Sequence, residues 1–136
     1  NNMFMLSPQS RADTRNQGIV DLLGGQVVRN IKALDKLIGE DGFACSGRLT
    51  LADCAIVPGL FLVENVLPTV GMDNPIPTTP KVAAYWAAIQ SQAPAAKVLE
   101  ELHRGLEERR ELIRSGVFQK MMAKAAADMA AAEAQS

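Results

Sequence analysis

The stretch SGRLTLADCAIVP, Ser46–Pro58, decides the fold because it places one aspartate where a polar turn passes into an apolar run. Thr50 and Asp53 lie three residues apart, which is the spacing of a capping box: the hydroxyl and the carboxylate each accept a hydrogen bond from the other's backbone N–H. The carboxylate also lies at the positive end of the helix dipole. The pattern predicts a helix that begins at Thr50, with Asp53 as a structural residue rather than a catalytic or metal-binding one.

The residues next to this cap extend the prediction. Leu49 is expected to pack on Cys54 as a hydrophobic staple, and Pro58 is expected to kink the helix because it cannot donate to the Cys54 carbonyl. Cys54 lies in the apolar run, so we predict a small buried side chain. Cys45 lies in a loop, and two isolated cysteines make neither a disulfide framework nor a zinc site. This usage predicts a reducing, cytoplasmic setting.

Length and charge limit the kinds of partner. The chain has 136 residues, near the common size of one domain, and 48% of them are hydrophobic, which is enough for a core. Lys plus Arg total 14 against 15 for Asp plus Glu, and this balance argues against a nucleic-acid partner or a polybasic membrane surface. No run is expected to reach the roughly 18 apolar residues of a membrane span, so no membrane is predicted.

Helical spacing recurs along the chain, and no stretch alternates long enough to predict a strand. Residues 1–6 are too short to classify, and they are compatible with the last turns of a helix whose start is missing. Gly24-Gly25 is expected either to bend the first full helix or to let another backbone approach it. The predicted helices run from Ser10 to Gly39, from Thr50, from Pro80 to Gln92, from Pro94 to Gly105, from Leu106 to Arg114, and from Val117 to about Ala132.

Gly47–Asp53, GRLTLAD, resembles the "G-x-x-[ST]-x-A-D" loop that opens the central helix in the C-terminal domain of cytosolic glutathione transferases. The preceding NIKALDKLIGEDGFACSG and the following TTPKVAAYWAAIQSQAPAAKVLEEL are also similar to that family. The resemblance covers about Arg11 to Leu102. The chain differs from the common pattern in having Ala93-Pro94 where many members have Arg-Pro, and in its longer, alanine-rich tail.

The resemblance implies an all-α helical bundle of the glutathione transferase C-terminal type. About five to six helices are expected, with a central buried helix that starts near Thr50, in one domain over residues 1–136. Residues 1–9 would be the remnant of a truncated first helix, and residues 106–136 a C-terminal helical extension. The family's N-terminal thioredoxin-like domain is not among these residues. Because the first residue is Asn1 and not Met, we expect a fragment or a processed product, and the sequence leaves open whether the chain is a fragment or a natural product.

The same resemblance implies a function in detoxification by glutathione conjugation. The parent protein would be a cytoplasmic homodimeric transferase with glutathione as co-substrate, bound mainly by the absent domain, and with no metal. This helical part would supply the apolar half-site for an electrophilic small molecule and part of the subunit interface, and it would not be catalytic alone. The alternative is a non-catalytic protein-interaction module of the same fold.

No catalytic residue and no metal ligand is predicted. Tyr85 is expected to pack in the core with a satisfied hydroxyl, and the single histidine, His103, to be solvated near a helix end. Residues 106–136 leave open whether the tail is a lid or an interface. The resemblance suggests six residues for the apolar pocket, on the first helix, the central helix and the tail: Phe4, Met5, Leu62, Val66, Phe118 and Met122.

Overall fold

The computed structural model describes residues 16–117, 120, 121, 123 and 124, and this part of the chain contains helices and turns but no strand. The predicted all-α class is therefore confirmed. Part of the predicted count of five to six helices lies outside the described residues. The four α-helices in the described part are α1, Gln17–Leu37; α2, Leu51–Val66; α3, Pro80–Ile89; and α4, Ala93–Arg114, with short 3₁₀ helices at Leu67–Val70 and Ile76–Thr78.

The described part of α1 begins after Asn16, whose side-chain oxygen accepts a hydrogen bond from the Ile19 N–H at 3.3 Å. The predicted start at Ser10 lies outside the described residues. Apolar residues recur every three or four positions along α1 and form one stripe. This stripe faces the core, as the spacing predicts. The buried residues of α1 are Val20, Gly24, Val27 and Ile31.

α1 runs continuously through Gly24-Gly25, so the two glycines do not end the helix. A side chain, and not another backbone, comes close to the helix at this point. A Cβ atom added at Gly24 would overlap the Sδ of Met72, whereas one added at Gly25 would meet nothing within 4 Å. Gly24 thus makes room for a methionine from the segment that follows α2.

The central helix, α2, begins at Leu51 with Thr50 as its N-cap and contains Pro58 in its interior. Its inward side is apolar except for Asp53, and it packs against the first 3₁₀ helix and α3. The predicted central helix that starts near Thr50 is therefore confirmed. Its buried residues are Asp53, Val57, Leu60, Phe61, Val63 and Val66.

The start of α3 is capped from another helix. Thr79 is the N-cap residue, but its hydroxyl donates to the carbonyls of Pro75 and Ile76 and makes no cap bond. The carboxylate of Asp35, on α1, accepts instead from the Val82 N–H at 2.9 Å. This bond fixes the start of α3 against the end of α1.

The predicted break between Gly105 and Leu106 is also wrong, because α4 is one helix from Ala93 to Arg114. Nothing lies within 4 Å of a Cβ built at Gly105, so the glycine serves no close approach. A single helical glycine costs only about 1 kcal/mol relative to alanine, which the rest of the helix outweighs. The chain divides into two compact units, 1–100 and 101–136, and the division falls within α4.

The core of the first unit is built from aliphatic and aromatic side chains of α1, α2, α3 and the first 3₁₀ helix. The largest side chains with almost no exposed surface are Tyr85, Phe61, Leu60, Leu67 and Ile89.

One segment, Leu51–Val70, is long and apolar enough to cross a membrane when judged by length and composition alone. The expectation that no run would come near that length was therefore wrong. Core helices pass the same test, and this segment carries the buried carboxylate of Asp53 and packs on neighbouring helices. Packing accounts for the buried side of this segment, which is 39% of the apolar window.

Candidate functional site

Asp53 lies at the junction of three parts of the first unit, with only 1% of its surface exposed. Its Oδ2 accepts hydrogen bonds from the Thr50 N–H at 2.8 Å and from the Thr50 hydroxyl at 3.0 Å. Its Oδ1 accepts from the Ala44 N–H at 2.8 Å and from the Tyr85 hydroxyl at 3.1 Å. One carboxylate therefore joins the loop before α2, the start of α2 and the middle of α3.

The local part of this arrangement is a capping box. The Asp53 carboxylate accepts from the backbone of Thr50, and the Thr50 hydroxyl oxygen accepts from the start of the helix, including the Ala52 N–H at 3.3 Å. The contacts with Ala44 and Tyr85 come from outside the box. A buried carboxylate with this many donors is satisfied in the sense that buried charges require.

The electrostatics of the pair follow from this geometry. Burial raises the pKa of Asp53, but the hydrogen bonds from Ala44, Thr50 and Tyr85 outweigh it, so the pKa lies below the ordinary 3.8. Burial, and then the charge of Asp53, raise the pKa of Tyr85 well above its ordinary 10.0. Asp53 therefore stays ionised and Tyr85 stays protonated at neutral pH, which are the states that the hydrogen bond between them requires.

An apolar groove of about 140 Å³ lies beside this junction, between α2, the loop before it and the start of α4. Its lining is almost entirely apolar, and the buried Asp53 forms a small part of it. The lining residues are Leu49, Asp53, Cys54, Val57, Pro58, Pro94, Ala95 and Val98.

The thiol next to Asp53 was predicted to be buried, and this was wrong, because Cys54 is exposed and lines the groove. Successive residues of an α-helix point about 100° apart. Asp53 and Val57 face the core, so Cys54 faces away from it. Cys45, predicted to lie in a loop, is exposed there, and its Sγ lies 3.6 Å from the Thr50 hydroxyl oxygen.

The outer side of α2 carries a row of exposed apolar residues. Leu51 is 86% exposed and Leu62 is 37% exposed, and the exposed Ala55 lies between them on the same side of the helix. No charged residue interrupts this row, although α2 is otherwise the central helix of the core. The described helices thus cover only part of α2.

The predicted pocket residues divide into three groups. Leu62 lies on the exposed row of α2. Val66 is only 6% exposed and packs in the core, so the described part of the structure does not bring it to the same surface. The remaining four, Phe4, Met5, Phe118 and Met122, lie outside the described residues.

Among the described residues, no group of three or more His, Cys, Asp or Glu side chains is placed to hold a metal ion. His103, on α4, is exposed.

Sequence reasoning missed two contacts, the Ala44 N–H bond at the junction and the Asp35 cap at the start of α3. Ala44 contributes only its backbone N–H, and Asp35 caps a helix that lies far from it in the sequence. Neither contact produces a recognisable pattern in the neighbouring sequence. A signal did exist for Tyr85, since a buried tyrosine hydroxyl needs a hydrogen-bond partner, but the sequence did not say which residue would supply it.

A family model described as "Glutathione S-transferase, C-terminal domain" matches residues 17–88, just over half of the chain. The match includes α1, α2, most of α3 and the whole Asp53 junction. No curated protein and no solved structure matches the chain significantly. With its central capped helix inside the matched region, this chain belongs to the glutathione S-transferase C-terminal domain family.

Proposed function

We propose that this chain is the helical part of a glutathione S-transferase and that it supplies an apolar half-site for an electrophilic substrate. In this proposal residues 1–136 form one helical domain, with residues 1–9 as the remnant of a first helix and 106–136 as an extension. The parent protein would be a cytoplasmic homodimer that uses glutathione as co-substrate in detoxification, with glutathione held mainly by a thioredoxin-like domain.

The observation that carries the proposal is the exposed apolar row on α2, next to the groove at the start of that helix. Leu51 and Leu62 leave apolar surface on the helix that is otherwise the centre of the core. The groove, at about 140 Å³, is smaller than the roughly 300 Å³ at which pockets begin to enclose drug-sized ligands. A surface of this kind suits one wall of a site whose other wall comes from a second domain.

The proposal also holds that the described residues do not activate the glutathione thiol. Tyr85 is the single tyrosine, and a glutathione transferase commonly uses a hydroxyl for this step. Its hydroxyl donates to Asp53, and only 1% of the residue is exposed, so a thiol cannot reach it. The chain on its own is therefore expected to bind apolar compounds without turning them over.

The direct test is an assay of the 136-residue chain with glutathione and an aromatic halide. We expect the rate to equal that of the reaction in buffer. Turnover above that rate would contradict the proposal that the glutathione thiol is activated outside this chain, because it would place a thiol activator within it.

The exposed apolar row of α2, which forms the α2 wall of the proposed site, has a separate test. Leu51→Ser and Leu62→Ser, singly and together, should weaken binding of a fluorescent apolar probe such as anilinonaphthalene sulfonate. Ile19→Ser is the matched control, since Ile19 is 43% exposed but lies on α1. Equal loss of binding in the control, or no loss in the double variant, would contradict the assignment of the wall to α2.

A protein partner would also suit an uncovered apolar row, and this keeps the non-catalytic interaction module as the second candidate. The coding sequence upstream of Asn1 separates the two. A thioredoxin-like pattern of about 80 residues there favours the transferase, and a different catalytic domain favours the module.

A further inference from the structure

The outward face of α1 carries a row of three basic side chains, Arg29, Lys32 and Lys36. They lie at spacings of three and four residues, so they fall on one face of the helix. This face is opposite the buried stripe that contains Val27 and Ile31. All three basic residues are exposed, and together with Ala33 and Leu37 they line a shallow depression of about 470 Å³.

No acidic residue of the described part forms an ion pair with any of these three side chains. The three acids at the same end of α1 are engaged elsewhere, and Asp41 accepts from the Phe43 N–H at 3.1 Å. Asp35 accepts the Val82 N–H that starts α3, and Glu40 forms an ion pair with Lys81. A chain whose net charge is −1 therefore carries, in its described part, a local strip of basic side chains without ion-pair partners.

Apolar side chains lie at both ends of the same face. Leu22 is 59% exposed, and it lies in line with Arg29 and Lys36 because seven residues are close to two full turns. Leu37 is 83% exposed and borders the depression. The face thus combines three positive charges over about 10 Å of helix with a leucine at each end.

We propose that this face of α1, called the basic face and formed by Leu22, Arg29, Lys32, Lys36 and Leu37, binds an acidic amphipathic helix of a partner protein. Carboxylates at spacings of three and four on such a helix match the three cations. Apolar residues at its ends cover the two leucines. The proposal concerns a different helix from the apolar row of α2 and does not depend on it.

A second copy of this chain is a poor occupant of the basic face. In a two-fold dimer through this face, the same patch meets itself, so cations would lie against cations. Three of the five glutamates of α4 pair with arginines of the same helix, namely Glu107, Glu108 and Glu111. The other two are neighbours in the sequence, so they do not form a strip at spacings of three and four. Residues 1–15 carry two arginines and one aspartate and are not an acidic segment.

The two other classes of polyanion fit less well. A nucleic acid offers phosphates to the cations but gains nothing from covering the exposed leucines, and three basic residues neutralise few phosphates. A membrane surface needs a larger apolar face than two leucines and commonly more basic residues. A protein helix matches both the charge spacing and the apolar ends.

The test uses the full 136-residue chain and a fluorescein-labelled helical peptide with glutamates at i, i+3 and i+7 and a leucine beyond each end. A peptide of the same composition in scrambled order is the control probe. Fluorescence anisotropy at about 50 mM and about 300 mM NaCl measures affinity and its dependence on screening. Phosphatidylcholine–phosphatidylserine vesicles and a single-stranded DNA oligonucleotide are offered in parallel.

The expected result is saturable binding of the patterned peptide, weakened at the higher salt concentration. The triple variant R29E/K32E/K36E should lose about tenfold or more in affinity. The matched variant R48E/K97E/K120E changes the net charge equally at other exposed positions and should bind like the parent. Leu37→Ser should weaken binding at both salt concentrations, because its contact is apolar.

Four results would overturn the proposal. These are equal binding of the scrambled peptide, no saturable binding of the patterned one, equal losses in the two triple variants, and tighter binding of vesicles or DNA than of the peptide. Circular dichroism of each variant shows whether the fold is intact, and the substituted side chains are all exposed. Failure here leaves the assays of the α2 wall unaffected.

Discussion

The Tyr85 hydroxyl donates a hydrogen bond to the Oδ1 of Asp53 at 3.1 Å, between residues 32 positions apart in the chain. Both residues are 1% exposed. The bond joins α3 to the first turn of α2, and the same carboxylate oxygen accepts from the Ala44 N–H. The start of the central helix is therefore tied to two other segments through a single side chain.

Asp53→Ala should destabilise the chain by about 3 kcal/mol, more than the roughly 1 kcal/mol of an ordinary lost cap. The larger value is expected because the substitution leaves the Ala44 N–H, the Thr50 N–H and the Tyr85 hydroxyl buried or half-buried without an acceptor. Urea unfolding followed by circular dichroism measures the free energy of unfolding.

Asp41→Ala is the control for this prediction. Asp41 is exposed and accepts one local hydrogen bond, from the Phe43 N–H at 3.1 Å. It should cost about 0.5 kcal/mol or less. A loss for Asp53→Ala no greater than that of the control would show that the junction contributes nothing beyond local turn formation.

The sequence predicted the part of this junction that depends on neighbours in the chain. Thr50 and Asp53 lie in one helical turn, so their spacing alone determines whether they can cap each other. The contacts with Ala44 and Tyr85 depend on how the loop and α3 pack, and no local pattern encodes packing.

The wrong predictions have separate physical causes. The sequence offers backbone approach as one reason for Gly24, whereas in the structure the side chain of Met72, and not a backbone, lies against it. Gly105 was read as a helix end, but one glycine cannot outweigh the rest of α4. Cys54 was read as buried from the hydrophobicity of its run, although its helical position turns it outward.

Tyr85→Phe should cost about 1 kcal/mol at neutral pH, since it removes one donor and keeps the aromatic ring in place. The raised pKa of Tyr85 predicts how this cost varies. Stability from the hydroxyl is complete below the ordinary pKa of 10.0 and is lost as the pH rises through the higher folded value. The difference between parent and variant should therefore shrink in alkaline solution, and a difference that grows there would contradict this account.

The lowered pKa of Asp53 predicts acid sensitivity. A carboxylate whose folded pKa is lowered stabilises the fold above its unfolded pKa, near 3.8, and this contribution is lost as the pH falls through the folded value. The free energy of unfolding of Asp53→Asn should differ from that of the parent by a constant amount above about pH 5. Below 3.8 the gap should narrow, and urea titrations at a series of pH values measure it. A gap that persists unchanged in strong acid would mean that the charge of Asp53 is not what stabilises the junction.

Asp35→Ala should cost about 1 kcal/mol, because it removes the acceptor for the Val82 N–H at the start of α3. Thr79 does not replace it, since its hydroxyl is engaged with the carbonyls of Pro75 and Ile76. Asp21→Ala is the control on the same helix, where the exposed carboxylate accepts from the Gln17 side chain at 2.8 Å. Hydrogen exchange at the Val82 amide reports the loss directly, and an exchange rate unchanged in Asp35→Ala would contradict the cap.

Gly25→Ala should stabilise the chain by about 1 kcal/mol, because it replaces a helical glycine with alanine where nothing lies within 4 Å of the new Cβ. Gly24→Ala gains the same helix propensity but places a Cβ where the Met72 side chain lies. Methionine is flexible and can move, at the cost of part of its packing. Gly24→Ala should therefore gain less than Gly25→Ala or lose stability, and thermal unfolding of the two single variants measures the difference. Combining Gly24→Ala with Met72→Ala should remove the conflict between the two side chains, so a double variant whose effects simply add would show that Met72 does not fill the space above Gly24.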